Sequence, residues 1–443
     1  MSKYSKKDIL RMVEDEDVEF IRLQFTDIFG SFKNMAITKA QLTAALDGEI
    51  VFDGSSIDGF ARIEESDMYL KPDPDTFVIF PWRPQVGKVA RLICDICRAD
   101  GTPFEADCRN LLKNAMAQAR KAGFEVSIGT ELEFFLFETD EQGQPTTNPS
   151  DKAGYFDIAP LDGGENARRD MVLTLEEIGF LITGSHHEQA PGQHEIDFTH
   201  SPALETADNI QTFKMAVKTV AKRHGMHATF MPKPTAGITG SGMHINISLE
   251  KKGKNVFFDP KDENRLSKEG YYFMGGIMKH ACAISALTNP LVNSYKRLVP
   301  GFDAAVYVAW SKVNRSPLIR VPVSKGQNTR IELRFPDPSA NPYLAIAAII
   351  TAGLAGIKGK IDPPDRIDTN IFAMTPAERA EAGIRSLPQN LGQALECLEE
   401  DELIMDVLGE YAASRYLMAK KEEFRQYSEF VSEWELSSYL GKY

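Results

Sequence analysis

The chain has 443 residues, 43% hydrophobic and 26% charged, the make-up of an ordinary globular protein with enough apolar material for two or three domains. Its 63 acidic against 50 basic side chains give a formal charge of −13, which speaks against nucleic acid as a direct partner because backbone-driven binding needs a basic face. The longest nearly apolar run, residues 343–357, is too short to span a bilayer, the first residues show no secretory h-region, and five scattered cysteines fit a reducing compartment, so a cytoplasmic protein without membrane contact is expected.

Ser5 caps a predicted helix running to about Asp15. Residues 18–25 follow as a strand in which Ile21, Leu23 and Phe25 alternate with Arg22 and Gln24. A short helix at 38–46 and strands at 76–80 and 88–97 complete a small α/β unit. In the last of these Ala90, Leu92, Cys94 and Ile96 alternate with Arg91 and Asp95, so Cys94 and Cys97 point to opposite faces. Their C-x-x-C spacing therefore makes neither a metal pair nor an easy disulfide. The turn cluster Asp100-Gly101-Thr102-Pro103 marks the expected boundary between a first domain, 1–103, and a second, 104–443. Helices are then predicted at 107–122, 166–178, 204–224, 267–288 and 342–358. A helical tail starts at the capping box Thr375…Glu378, with Pro376 at the first helical position.

Four segments of the second domain share one property. In 129–137, GTELEFFLF, Glu131 and Glu133 point one way while Leu132, Phe134 and Leu136 point the other. In 242–249, GMHINISL, the polar face is His244, Asn246 and Ser248. In 329–335, TRIELRF, it is Arg330, Glu332 and Arg334. The segment 185–198 supplies Glu188 and then Glu195. Half-burial alone explains alternation. It does not explain carboxylates, which have poor β-propensity and repel one another two residues apart unless a cation lies between them. If the strands converge, five carboxylates and one imidazole meet, an oxygen-rich set that suits Mg²⁺ or Mn²⁺ and exceeds the needs of one ion. Paired divalent ions with Arg297, Arg315, Arg320, Arg330 and Arg334 point to phosphoryl transfer. There is no G-x-x-x-x-G-K-S/T, so a nucleotide is held without a Walker loop, and GITGSG at 237–242 is a close-approach loop.

The segments FDGSSIDGF (52–60), KPTAGITGSGMH (233–244), NSYKRLVPGF (293–302), NRSPLIR (314–320) and RIELRFPDPSANPYL (330–344) resemble type I glutamine synthetase in the family's order, across essentially the whole chain. The resemblance implies an α+β protein: an N-terminal β-grasp domain and a catalytic domain built on a curved antiparallel sheet flanked by helices. It implies a dodecamer of two hexameric rings with active sites shared between subunits. The implied reaction joins ammonia to the side-chain carboxylate of L-glutamate at the expense of ATP, through γ-glutamyl phosphate. By motif, Glu131, His244 and Glu332 resemble ligands of the metal at the nucleotide phosphates, and Glu133, Glu188 and Glu195 those of the metal near glutamate. Arg297, Arg334 and the backbone at Gly240 resemble glutamate-binding groups. Arg315 and Arg320 match phosphate-holding arginines, and Asn246 and Ser248 fall on the nucleotide side. Asp53, from the adjacent subunit, matches the residue that binds and deprotonates ammonium.

Departures from the family pattern are visible. Asp303, in PGFDAA, stands where most members carry the Glu of a flap that shields the acyl phosphate. Thr239 replaces the usual Asn before Gly240, Phe60 stands where some members have Trp, and Thr183 where a nucleotide-site Glu is common. The tyrosine-bearing insertion linked to adenylylation is missing, as in the α-type group, and Arg62 matches that group's arginine tied to feedback by glutamine. Asp303 and Thr239 keep open a γ-glutamyl ligase that uses another amine. A catalytically silent oligomer, and an enzyme that also contacts nitrogen-regulatory transcription factors, are further readings. His186 and His187 are read as structural neighbours of Glu188.

Overall fold

The structure, a computed structural model, describes residues 3–57, 59, 67–301, 304–323 and 326–443. Ser5 closes a reciprocal capping box with Asp8 at the start of α1 (Lys6–Asp15), whose Ile9 and Val13 are buried. Strands β1 (Val18–Thr26), β2 (Phe32–Thr38), β3 (Ile50–Asp53), β4 (Asp67–Ile79) and β5 (Lys88–Cys97) form a sheet in the order β2-β1-β5-β4-β3, with α2 (Leu42–Leu46) beside it. β1 runs parallel to β5 and antiparallel to β2. The expected strand at 76–80 is the end of the longer β4; β2 and β3 are short and largely exposed, so neither has the alternation that identifies a strand from sequence. Cys94 and Cys97 are both buried and free.

The second sheet has eleven strands: β6 (Glu125–Thr139), β7 (Pro145–Pro149), β8 (Ile182–His187), β9 (Gln193–Pro202), β10 (Met226–Thr229), β11 (Met243–Lys251), β12 (Lys254–Asn255), β13 (Tyr307–Ser311), β14 (Pro317–Arg320), β15 (Ile331–Leu333) and β16 (Arg385–Ser386). Its main path is β16-β13-β14-β15-β11-β6-β9-β8. Pairing is antiparallel except between β13 and β14, so the expected antiparallel sheet is mixed towards one edge. The segment 185–198 divides into the hairpin β8–β9, which leaves Glu188 on its connecting loop.

Helices α3 (Cys108–Lys121), α4 (Glu165–Glu177), α5 (Ala203–Arg223), α6 (Lys268–Thr288), α7 (Ser294–Arg297), α8 (Pro342–Gly359), α9 (Pro376–Glu381), α10 (Leu391–Glu400), α11 (Glu402–Glu429) and α12 (Glu433–Tyr439) complete the chain. The apolar face of β6 is fully buried at Leu132, Phe134 and Leu136, and Phe134 meets Phe213 of α5 edge-on. That burial leaves the carboxylate face of β6 turned away from the helices. The apolar run 343–357 is in α8, the one helix among the described residues long and apolar enough to cross a membrane; it is mostly buried. It packs on α6 where Gly276 and Gly356 let the two backbones touch. Arg109 of α3 ties the first sheet to the helices of the second domain, pairing with Asp73 and Asp95 of that sheet and Asp208 of α5 at 2.7, 2.7 and 2.9 Å.

Candidate active site

The strand register builds the site. His186 on β8 lies opposite Glu195 on β9, and Glu195 opposite Glu133 on β6. Asp197 lies opposite Glu131, and Glu131 opposite His244 on β11. Asn246 lies opposite Glu332 on β15, and Glu332 opposite Arg320 on β14. Directly opposed residues share a face. The polar positions therefore form one continuous stripe across six strands.

Distances within the stripe are short. His244 Nδ1 is 3.0 Å from Glu131 Oε2 and 3.9 Å from Glu332 Oε1, and its Nε2 is 3.9 Å from Glu133 Oε1. His186 Nε2 is 2.9 Å from Glu188 and 3.8 Å from Glu195. Glu332, fully buried, accepts from Arg334 Nη1 at 2.7 Å and Arg320 Nε at 2.5 Å. Three sets of donor atoms, Glu131–His244–Glu332, Glu133–Glu195–His244 and His186–Glu188–Glu195, each lie within 4.8 Å of one another. Burial, then the charges of Asp197, Glu133, Glu131 and Glu188, pushes the Glu195 carboxyl far above the usual carboxylate range. Burial and Glu131 likewise raise Asp197. Glu131 is half-buried, and although desolvation raises its carboxyl, hydrogen bonds and charge from His244, with Asn246 and Arg334, hold it low. A group of buried carboxylates too crowded to ionise together fits a divalent cation, which replaces shared protons with positive charge.

Beside the stripe, Arg297 of α7 is buried and donates to the carbonyls of Phe335 and Arg334 at 2.8 and 3.1 Å. The loop at 237–242 reaches it only because it is glycine-rich. A Cβ at Gly240 would stand 2.2 Å from the Pro232 carbonyl, and one at Gly242 2.7 Å from Arg297 Nη2. A cavity opens between these groups, lined among others by Glu131, Glu133, Glu188, Glu195, His244 and Arg297, together with Arg315, Arg320 and Arg334. Carboxylates and guanidinium groups on one cavity wall suit a cation and a phosphorylated anion bound together.

The glutamine synthetase catalytic-domain family matches residues 105–439, and the glutamine synthetase β-grasp family residues 17–99. The chain belongs to the glutamine synthetase family. It is 60% identical to the glutamine synthetase of Clostridium saccharobutylicum over 443 residues, all of both chains, and 54% identical to that of Staphylococcus aureus over 441 residues, 99% of each. Among solved structures it superposes on a GmaS–ADP complex with a TM-score of 0.90 at 32% identity, covering 98% of this chain and 99% of that one. It superposes on Plasmodium falciparum glutamine synthetase with a TM-score of 0.88 at 28% identity, covering 99% of each. Its activity is the ATP-dependent joining of ammonia to the side-chain carboxylate of L-glutamate, giving glutamine, ADP and phosphate through γ-glutamyl phosphate, with a divalent metal.

Not every expected glutamine synthetase residue meets the stripe. Glu131, Glu133, Glu188, Glu195, His244 and Glu332 converge, and so do Arg297, Arg315, Arg320, Arg334 and Gly240. Asn246 donates to Glu131 Oε1 at 2.9 Å, whereas Ser248 lies two residues further along β11, opposite Ser127. Asp53 is exposed at the end of β3 and accepts from Ser55; it does not line the cavity of its own chain. Asp303, Arg62 and Phe60 lie outside the described residues. His186, read as structural from sequence, faces Glu188 and Glu195, whereas His187 is buried against Asp151. Gln193 and Asp197 escaped notice although they alternate with Glu195 on one strand face, the same signal that selected Glu131 and Glu133. Tyr155 also lines the cavity, stacked on Phe156, from a loop with no periodic signal.

Proposed function

We propose that the cavity is where γ-glutamyl phosphate forms and reacts, and that two or more Mg²⁺ or Mn²⁺ ions serve it. The observation that carries the reading is the convergence of five carboxylates and His244 with Arg297, Arg315, Arg320 and Arg334. Glu131, His244 and Glu332 would hold the ion on the nucleotide side, and Glu133, Glu188 and Glu195 the ion on the glutamate side. When bound, these ions neutralise phosphate oxygens and draw the γ-phosphoryl group towards transfer. Arg320 and Arg315 hold the phosphates, with Asn246 and Ser248 on the nucleotide side. Arg297 and the backbone at Gly240 hold the glutamate, whose side-chain carboxylate oxygen attacks the γ-phosphorus as the bond to ADP breaks. Arg334 takes the growing charge on the transferred group. Asp53 of a neighbouring subunit accepts a proton from ammonium, and ammonia attacks the acyl carbon with phosphate as leaving group. Asp303 on the segment 300–305 would close the site against water.

An assembled homo-oligomer, a dodecamer by family resemblance, is supported by the exposure of Asp53 and by the exposed Phe430, Trp434 and Leu440 around α12. A cytoplasmic location fits five free cysteines and the charge of −13. A domain boundary at 103/104 fits the two family matches, which end at 99 and begin at 105. The test is ADP release by the full chain with Mg²⁺, ATP and glutamate, with ammonium or a panel of amines added in turn. Ammonium-dependent glutamine formation is the expected result. Turnover only with a larger amine would keep the mechanism and move the acceptor; no turnover with any amine would sink the assignment of the cavity.

A further inference from the structure

Glu133 is buried, and its two oxygens are not equivalent. Oε2 accepts from the backbone N–H of Gly242 at 2.9 Å and from Gln193 Nε2 at 2.9 Å. Oε1 has His244 Nε2 at 3.9 Å and faces the cavity side. Gln193, the first residue of β9, is 1% exposed and uses every hydrogen-bonding position of its amide. Its Oε1 accepts from the backbone N–H of Ala190 at 3.2 Å and from the Thr239 hydroxyl at 2.9 Å. Its Nε2 donates to the Gly240 carbonyl at 3.2 Å as well as to Glu133. Ala190 N–H can only donate and the Gly240 carbonyl can only accept, so these two backbone groups fix which end of the amide is nitrogen.

We infer that Gln193, oriented by the Ala190 N–H and the Gly240 carbonyl and braced by the Thr239 hydroxyl, is a positioning residue that occupies Glu133 Oε2, leaves Oε1 for the divalent ion, and ties that carboxylate to the Gly240 loop. The inference rests on the reading of Glu133 as a metal ligand and deepens it. The two donors on Oε2 fix the orientation of the carboxylate, as partners behind a metal ligand do, and leave its other oxygen without a hydrogen-bond donor of its own from Gln193 or Gly242. Thr239 acts without touching Glu133. Its hydroxyl proton satisfies the amide oxygen, and an apolar side chain there would leave that buried oxygen one donor short and loosen the grip on the amide that holds Glu133 Oε2. Thr239 and the Gly240 carbonyl thus couple the glutamate-holding loop to the glutamate-side metal ligand through one amide.

The test uses the full-length assembled protein and Mn²⁺ as the probe. Mn²⁺ binding is titrated by electron paramagnetic resonance without nucleotide or glutamate, and KM is measured separately for glutamate and ATP. Thr239→Val, isosteric but without the hydroxyl, is expected to weaken one class of Mn²⁺ site about tenfold, the scale of one hydrogen bond to a charged group. It should also raise KM for glutamate several-fold while leaving KM for ATP unchanged. Thr239→Ser should restore both, and Gln193→Ala should exceed Thr239→Val in both. Wild-type Mn²⁺ affinity and wild-type KM for glutamate in Thr239→Val and Gln193→Ala, with assembly intact, would overturn the inference. So would equal rises in the two KM values, which a loosened fold produces. Wild-type protein that binds no Mn²⁺ would overturn the metal reading itself, before any variant is compared.

Discussion

Glu332 is a carboxylate with no exposed surface, pinned between Arg334 and Arg320 and facing His244. Burying such a charge is tolerable only with partners of this quality. Arg334 has a second task, since it also lines the cavity and its Nε donates to the Arg315 carbonyl at 3.2 Å. Arg334→Lys keeps a cation of similar reach for Glu332 but loses the planar fork, so its thermal midpoint should fall only slightly. Its kcat/KM should fall by about 10² or more, the usual loss for a removed transition-state donor. Steady-state kinetics beside a melting curve decide the matter: a fall in stability in step with activity would make Arg334 a structural residue. At this scale the sequence was informative, because a charged residue on a strand face with an apolar opposite face is conspicuous. It was silent on Tyr155, whose loop has no period.

The hairpin β8–β9 shows what lies between residue and fold. Its loop carries Glu188, and the loop is held from behind by Asp151. Asp151 accepts from His187 Nε2 at 3.0 Å, from Gly192 N–H at 2.8 Å and from Gly163 N–H at 3.1 Å. His187 Nδ1 lies 2.7 Å from the Glu188 carbonyl, so both ring nitrogens face acceptors and both must donate. Burial pushes His187 down, but the bonds to Asp151 and the Glu188 carbonyl outweigh it, and the net shift is upward. A raised folded-state pKa gives stability that is complete below the ordinary histidine range and lost as pH rises through the raised value. Asp151→Ala should therefore cost about 3 kcal/mol below that range, because a buried cation loses its counter-charge. The deficit should shrink above His187's raised pKa. Thermal melts of both proteins across that interval check it, and a deficit independent of pH would refute the pairing as its cause. Periodicity merged this hairpin into one segment, since Ser185, Glu195 and Ile196 keep alternating across the break, and only Pro191-Gly192 marks the turn. β6 and β11 were legible because long strands repeat their pattern often enough to be recognised.

Across the whole molecule, a large apolar core supports a face that opposes folding in the absence of a cation. Helix α5 packs on β6 and β9 of the second sheet and α6 packs on α8; sequence periodicity located all three helices within a residue or two at each end. The opposite face of the sheet holds Glu133, Glu195 and Asp197, all with carboxyls raised by burial first and, in each, by a neighbouring carboxylate. The sign follows from linkage. Groups that bind protons more tightly when folded make the cation-free protein less stable as pH climbs above the ordinary carboxylate range, because the folded state must then release those protons or hold unfavourable charge. A divalent cation takes the place of the protons, and its binding competes with them. Protein stripped of metal should thus show a thermal midpoint that declines between about pH 6 and about pH 9, with the slope flattened by saturating Mg²⁺. The stabilisation by Mg²⁺ should be larger at the alkaline end, and Glu195→Gln should abolish most of that difference, since an amide has no proton to yield. A Mg²⁺ stabilisation independent of pH would mean that the carboxylates are already ionised without the metal, and that other cationic groups, Arg297 beside Glu133 among them, carry their charge.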